Sequence, residues 1–180
     1  EETEARYARA AAKATELINN LPSATDEHPY LAKKGLPAFP DMKIDSGTLC
    51  IPVYNADKAI TSIQFIAPDG KKQNLADGRI KGGRYVFPEQ VSRKFKTVVI
   101  SESIGSGGSI NASTGFETIC TFGTGNLETI LAELRAQDAR TPIIVAADND
   151  CETPDNPRTV TIPADKVTGD GTEWLSTLTS

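Results

Sequence analysis

Ile143-Ile144-Val145-Ala146-Ala147-Asp148-Asn149-Asp150 is an apolar, β-branched run that stops at two aspartates separated by one residue. Val98-Val99-Ile100-Ser101-Glu102 has the same form, a short apolar run ending in an acid. Continuous β-branched runs of this length read as buried strands. An acid at the carboxyl end of such a strand lands at the rim of the sheet, where open α/β folds place their sites. Two such strands side by side would gather three carboxylates, which is costly unless a divalent cation lies between them. The pair of runs therefore reads as a metal site built on Glu102, Asp148 and Asp150.

The residues between the two runs complete the pattern. Val98–Ser101 leads into Gly105-Ser106-Gly107-Gly108, read as a turn, and then into a short helix from about Ser109, stopped by Gly115. Thr118–Phe122 is a strand. Asn126 is read as the cap of a helix whose Leu127, Ile130, Leu131 and Leu134 form one apolar face. Thr141–Ala147 is the third strand. The order β-α-β-α-β is the signature of a parallel sheet. If the first and third strands are neighbours, Glu102 and the aspartates share one rim. Beyond Asp150 the sequence reads as a polar loop from Cys151, a short edge strand at Val160-Thr161-Ile162-Pro163 and a last helical turn between Gly171 and Leu178.

Upstream the rhythm is different. Glu1 to Asn20 is rich in Ala, Glu, Arg and Lys and reads as a helix that Pro22 ends. A linker follows, with a short helical turn around Tyr30–Lys34. From Leu49 to Phe87 short strands alternate with turns. Leu49–Tyr54 and Ala59–Ala67 are strands, Pro68-Asp69-Gly70-Lys71 is a tight turn, and Lys72–Leu75 and Tyr85-Val86-Phe87 are further strand segments. The fold class is thus α/β: a βαβαβ parallel sheet preceded by a small antiparallel β unit and an N-terminal helix. The divisions are 1–36 (helix and linker), 37–96 (basic β-rich part) and 97–180 (parallel-sheet domain).

Composition narrows the chemistry. The chain has 180 residues, 38% of them hydrophobic, enough for a real core. It contains no membrane-length apolar run and no signal peptide. It starts at Glu1 rather than Met, which reads as a piece excised from something longer. Cys50, Cys120 and Cys151 are widely spaced and there is one histidine, His28, so a zinc site of Cys/His spacing is not expected. The sparse, odd cysteine set suits a reducing cytoplasm. His28 sits beside Pro29 in the linker, a poor place for the base of a catalytic triad.

The net charge of −5 argues against a generic nucleic-acid binder, but the charge is polarised. From Lys71 to Lys96 eight basic residues stand against Asp77 and Glu89, and from Thr97 onward twelve acids stand against four bases. Lys71, Lys72, Arg79, Lys81 and Arg84 interleave with Gly78, Gly82, Gly83 and Tyr85. They read equally as phosphate-binding residues or as solvated charges guarding a sheet edge. Gly105, Ser106 and Gly107 follow a strand, where free N–H groups can hold phosphate. They lack the lysine and the spacing of the known phosphate loops, and by themselves the glycines read first as a flexible turn.

Taken together, Ser101-Glu102-Ser103, Ser109-Ile110-Asn111-Ala112-Ser113-Thr114-Gly115, Gly125-Asn126-Leu127 and Ala147-Asp148-Asn149-Asp150 resemble the Toprim domain of bacterial-type DNA primases. The likeness is to the phage and plasmid branch that joins primase to helicase. It extends upstream through His28-Pro29-Tyr30-Leu31, Lys34-Gly35, Ile63-Gln64-Phe65-Ile66, Asp69-Gly70-Lys71-Lys72 and Lys81-Gly82-Gly83, and so covers about residues 28 to 150. The resemblance implies a primase core that makes short RNA primers on single-stranded DNA from ribonucleoside triphosphates. It would work with Mg²⁺ or Mn²⁺, beside a replicative helicase, in a bacterial cytoplasm. Glu102 would be a metal ligand or general acid-base, Asp148 and Asp150 would hold the metal, and the basic β unit would face template or nucleotide. A Toprim nuclease and a non-catalytic Toprim binding module are the alternatives. Two positions depart from the family. Ser103 stands where the family has Gly, and the segment after Asp150 is shorter than the family's helix.

Overall fold

The computed structural model describes residues 2–92 and 96–147. The chain divides between Val86 and Phe87 into two compact units.

The first unit opens with α1 (Glu2–Asn20) and α2 (Pro29–Lys34), followed by β1 (Lys43–Asp45), β2 (Thr48–Tyr54), β3 (Ile60–Ile66) and β4 (Lys72–Asn74). The strands form one sheet in the order β1-β2-β3-β4, every neighbour antiparallel, as short connecting turns require. α1 buries Ala10, Ala14 and Ile18, four residues apart and therefore on one face. That face meets Cys50 and Ile63, with Leu17, Leu21, Ile60, Phe65 and Leu75 around them. Pro22 ends the helix, and its carbonyl accepts the Ile44 N–H at 2.9 Å, which ties the exit to β1. Sequence periodicity did not signal β1, a three-residue strand paired with β2 and bridged at Lys43 to Ser23.

The lone histidine has a structural job. His28 Nδ1 accepts the Tyr30 N–H at 3.3 Å and caps α2, while Nε2 lies 3.1 Å from the Gly47 carbonyl. The second contact places the hydrogen on Nε2. Gly35 closes the same helix in the left-handed conformation (φ 64°).

The second sheet runs β5-β7-β6-β8, from β5 (Tyr85–Phe87), β7 (Glu117–Cys120), β6 (Val98–Ser101) and β8 (Ile143–Ala146). β6 pairs in parallel with both β7 and β8, so the first and third strands of the β-α-β-α-β run are neighbours as expected. α3 (Ile104–Thr114) and α4 (Leu127–Gln137) are the crossovers, the latter entered through a 3-10 turn at Thr124–Asn126. Val98, Ile119 and Ile130 pack together, and Ile100 packs with Leu127 and Leu131, so α4 covers one face of the sheet. All four residues of β6 are buried, which is why its sequence is apolar as far as Ser101. β8 is less enclosed: Ile144 is 49% exposed.

Two expectations change. Tyr85–Phe87 belongs to the second sheet rather than the antiparallel one. α3 begins at Ile104, not near Ser109. Three glycines in its first five residues carry a weak helix propensity and masked the start. What supplies the start is Ser103 at the N-cap, whose Oγ accepts the Ser106 N–H at 3.2 Å.

Candidate functional site

Glu102 follows the last residue of β6 and is half-buried. The register pairs Ser101 with Ala146, so β6 and β8 carry their carboxyl ends to the same edge of the sheet. Asp148 and Asp150, the other members of the expected carboxylate set, lie outside the described residues. So do Arg93, Lys94, Cys151, the expected edge strand at Val160–Pro163 and the last helical turn.

The loops at this edge are held by polar side chains. The Thr121 N–H donates to the Ser101 carbonyl at 2.9 Å, and Thr121 Oγ1 donates to the Gly123 carbonyl at 2.9 Å. Asn126 Nδ2 donates to the Thr121 carbonyl at 2.9 Å, and Cys120 Sγ donates to the Glu102 carbonyl at 3.6 Å. The segments after β6 and β7 are thus fastened to each other beside Glu102. Phe122 takes a positive φ of 56° between them, a conformation unusual for a bulky residue and maintained by these bonds. Asn126 occupies the N-cap position of α4, but its amide turns back to Thr121 instead of capping the helix. Sequence reading found Asn126 and missed Thr121. A lone threonine after a strand carries no signal until its partner carbonyl is known.

Ser103 points its hydroxyl into the helix start. Oγ accepts from Ser106 N and lies 3.1 Å from Ser106 Oγ. Gly105, Ser106 and Gly107 are accordingly residues of the first turns of α3, and the Ser106 N–H already has an acceptor. Gly107 has a packing reason. A Cβ there would sit 2.5 Å from Ser101 Oγ and 3.1 Å from Phe87 Cε2. Its absence lets the helix close on the sheet. Farther along α3, buried Asn111 donates to the carbonyls of Pro88 (2.9 Å) and Phe116 (2.7 Å) and accepts from Gln90 Nε2 at 2.6 Å.

The five basic residues of the antiparallel unit separate into two groups. β3 and β4 pair Ile66 with Lys72, which puts Lys71 and Lys72 at one end of β3. The Arg79 N–H donates to the Thr61 carbonyl at 3.3 Å, which puts Arg79 near the other end. Five residues of strand separate the two levels, about 17 Å. Arg79 pairs with Glu4 at 3.5 Å and stacks over Tyr7, and the neighbouring Asp77 pairs with Arg6. Arg84 is buried, with Nη2 donating to the Gly82 carbonyl at 3.3 Å and its backbone bridged to Tyr54. Lys81 is exposed. The glycines here press the segment onto the sheet. A Cβ on Gly78 would lie 2.0 Å from Ser62 Oγ, and one on Gly83 2.4 Å from Val53 Cγ1. Val53 and Ser62 are cross-strand partners, so the segment lies flat across that pair.

Asp41 accepts two phenol hydrogens, from Tyr54 at 2.9 Å and from Tyr85 at 2.6 Å. Burial, then the Asp41 charge, pushes the Tyr54 phenol well above its usual range. Burial likewise pushes the Cys50 thiol up to about 11.

A carboxylate at the carboxyl end of a parallel strand is a hard oxygen donor of the kind Mg²⁺ takes. Among the described residues no three metal-binding side chains come together. No helix among them is long and apolar enough to cross a membrane.

No family model and no solved structure matches the chain. It is 28% identical over 153 residues to a DNA primase TraC of Escherichia coli, covering 83% of the chain and 14% of that protein. It is 29% identical over 125 residues to another DNA primase TraC of Escherichia coli, covering 68% and 9%. The chain therefore spans less than a fifth of the length of these relatives. At this level the similarity supports a primase-related family for the chain.

Proposed function

We propose that the chain is the Toprim-type catalytic core of a DNA primase, making short RNA primers on single-stranded DNA. The observation that carries the reading is Glu102 at the carboxyl end of the central parallel strand, in a chain similar to DNA primase TraC over most of its length. In this reading Glu102, Asp148 and Asp150 hold Mg²⁺ or Mn²⁺. When bound, the metal neutralises charge on the transferring phosphoryl group. Glu102 acts as ligand or general acid-base. Thr121 and Asn126 keep the Glu102 loop in place by fixing the strand ends beside it. Ser103 turns its hydroxyl toward Ser106 at the start of α3. Template and ribonucleoside triphosphates are the substrates, and a replicative helicase is the partner.

Primer synthesis with Mg²⁺, ribonucleoside triphosphates and a single-stranded template tests this in wild type, Glu102→Gln and Asp148→Asn. Products are expected from wild type and not from either variant. Equal activity in all three overturns the reading. Metal-dependent nicking without triphosphates replaces it with a Toprim nuclease.

A further inference from the structure

We infer that Lys33, Lys34, Lys71 and Lys72 form one phosphate-binding surface, which anchors the backbone of single-stranded nucleic acid on the first unit. This rests on the nucleic-acid reading above and identifies which cations serve it. Tyr30 joins the two elements. Its buried ring lies against the turn between β3 and β4, where a Cβ on Gly70 would be 3.6 Å from Cδ2, and Lys72 Nζ stands 5.9 Å from the ring centre. Lys33 and Lys34 follow Tyr30 by three and four residues on α2, which puts them one turn along the same side. Two pairs of lysines thus flank one tyrosine.

The charges here differ from the others in the unit. Arg6 and Arg79 answer Asp77 and Glu4, and Lys43 donates to Ser23 Oγ and the Pro40 carbonyl. Lys33, Lys34, Lys71 and Lys72 are exposed, and none forms an ion pair among the described residues. Asp69 is the acid in the same turn, and its Oδ1 accepts the Lys71 N–H at 2.9 Å. The four cations therefore retain an excess of positive charge. In a chain of net charge −5, long-range attraction cannot hold a polyanion, so a local cluster has to. Tyr30 is 5% exposed and offers no ring for base stacking. The surface consequently reads phosphates and not bases, and its binding is independent of sequence and strongly dependent on salt.

Fluorescence anisotropy with labelled oligo(dT), without triphosphates or divalent metal, tests the inference. Four phosphate contacts on a single strand give a log–log salt slope of about −2.8, or about a fifty-fold loss of affinity between roughly 50 and 200 mM salt. The quadruple variant Lys33→Gln, Lys34→Gln, Lys71→Gln, Lys72→Gln is expected to lose most of that slope, with its circular dichroism unchanged. The four Lys→Arg changes should keep it. So should Lys13→Gln with Lys58→Gln, which removes charge from α1 and from the opposite end of β3. A quadruple Gln variant with wild-type slope and affinity overturns the surface. So does one that loses only binding to phosphatidylserine vesicles while oligo(dT) binding stays. Either result leaves the primer-synthesis test of Glu102 standing, because no chemistry is read here.

Discussion

In the antiparallel unit, Arg6 and Arg79 tie α1 to the Leu75–Arg84 segment, the Arg84 backbone bridges that segment to Tyr54, and Gly78 and Gly83 let it lie flat. In the parallel unit Thr121, Asn126 and Asn111 bond to backbone carbonyls, beside two charged ties, the Lys96–Glu117 pair and Arg135 on the Thr141 carbonyl, and Glu102 follows the central strand. The difference is one of emphasis: arginine ion pairs in the first unit, side-chain amides and hydroxyls on backbone carbonyls in the second. A basic residue close in sequence to other basic residues can be an internal brace, as Arg79 is. Glu102 stands at the carboxyl edge of the central parallel strand, and its carbonyl accepts from Cys120 Sγ. Its neighbours are arranged to hold the backbone on either side of it.

The comparison can be broken first at the two cores. Ile63→Ala in the antiparallel unit and Ile100→Ala in the parallel unit each remove a fully buried side chain. Each should lower unfolding free energy by about 2–5 kcal/mol in denaturant titrations. A neutral result at either position would mean that its cluster is not the core of that unit. Next in size is Asn111→Ala, which removes three hydrogen bonds and leaves the Pro88 and Phe116 carbonyls without this donor. At about 1 kcal/mol each, the expected loss is about 3 kcal/mol. Tyr85→Phe in the other unit removes one bond to a carboxylate and should cost about 1.5–3 kcal/mol.

Glycines sharpen the comparison further. Gly78→Ala and Gly107→Ala put a methyl group against Ser62 and Ser101 respectively, and each should destabilise by about 1–3 kcal/mol. A stabilising alanine at either site would show that the neighbouring hydroxyl moves aside freely. The smallest effect is alkaline. Cys50 has a folded-state pKa raised from 9.0 to about 11 by burial, and the Tyr54 phenol is raised as well. A raised folded value means that the folded chain holds the proton longer than the unfolded chain does. Their contribution is fully present at neutral pH and fades as pH climbs from 9 toward 11 and beyond. Thiol alkylation at pH 8 should accordingly be slow in the folded chain and fast in denaturant. Equal rates would contradict the burial of Cys50.

The sequence was legible where one period dominates. The β6 and β8 runs, the apolar face of α4 and the paired strands β2 and β3 all follow from the spacing of apolar residues. It was illegible where tertiary contact overrides propensity. α3 starts five residues early because Ser103 caps it and Gly107 packs against Phe87, neither of which a local pattern reveals. Tyr85–Phe87 joins the second sheet although its sequence neighbours belong to the first. Of the candidate site, Glu102 was legible from its place after an apolar strand. Thr121 was not, because its role depends on a carbonyl twenty residues away. The basic cluster was legible as composition but not as geometry. Sequence proximity hid the length of β3 that separates Lys71 and Lys72 from Arg79.

The most direct measurement is the initial rate of primer synthesis by Glu102→Gln relative to wild type, with oligo(dT) affinity taken on the same preparations. A carboxylate that acts on the transferring group predicts a rate lower by about 10²–10⁴-fold with affinity unchanged. Equal rates would contradict the assignment of Glu102 to the chemistry.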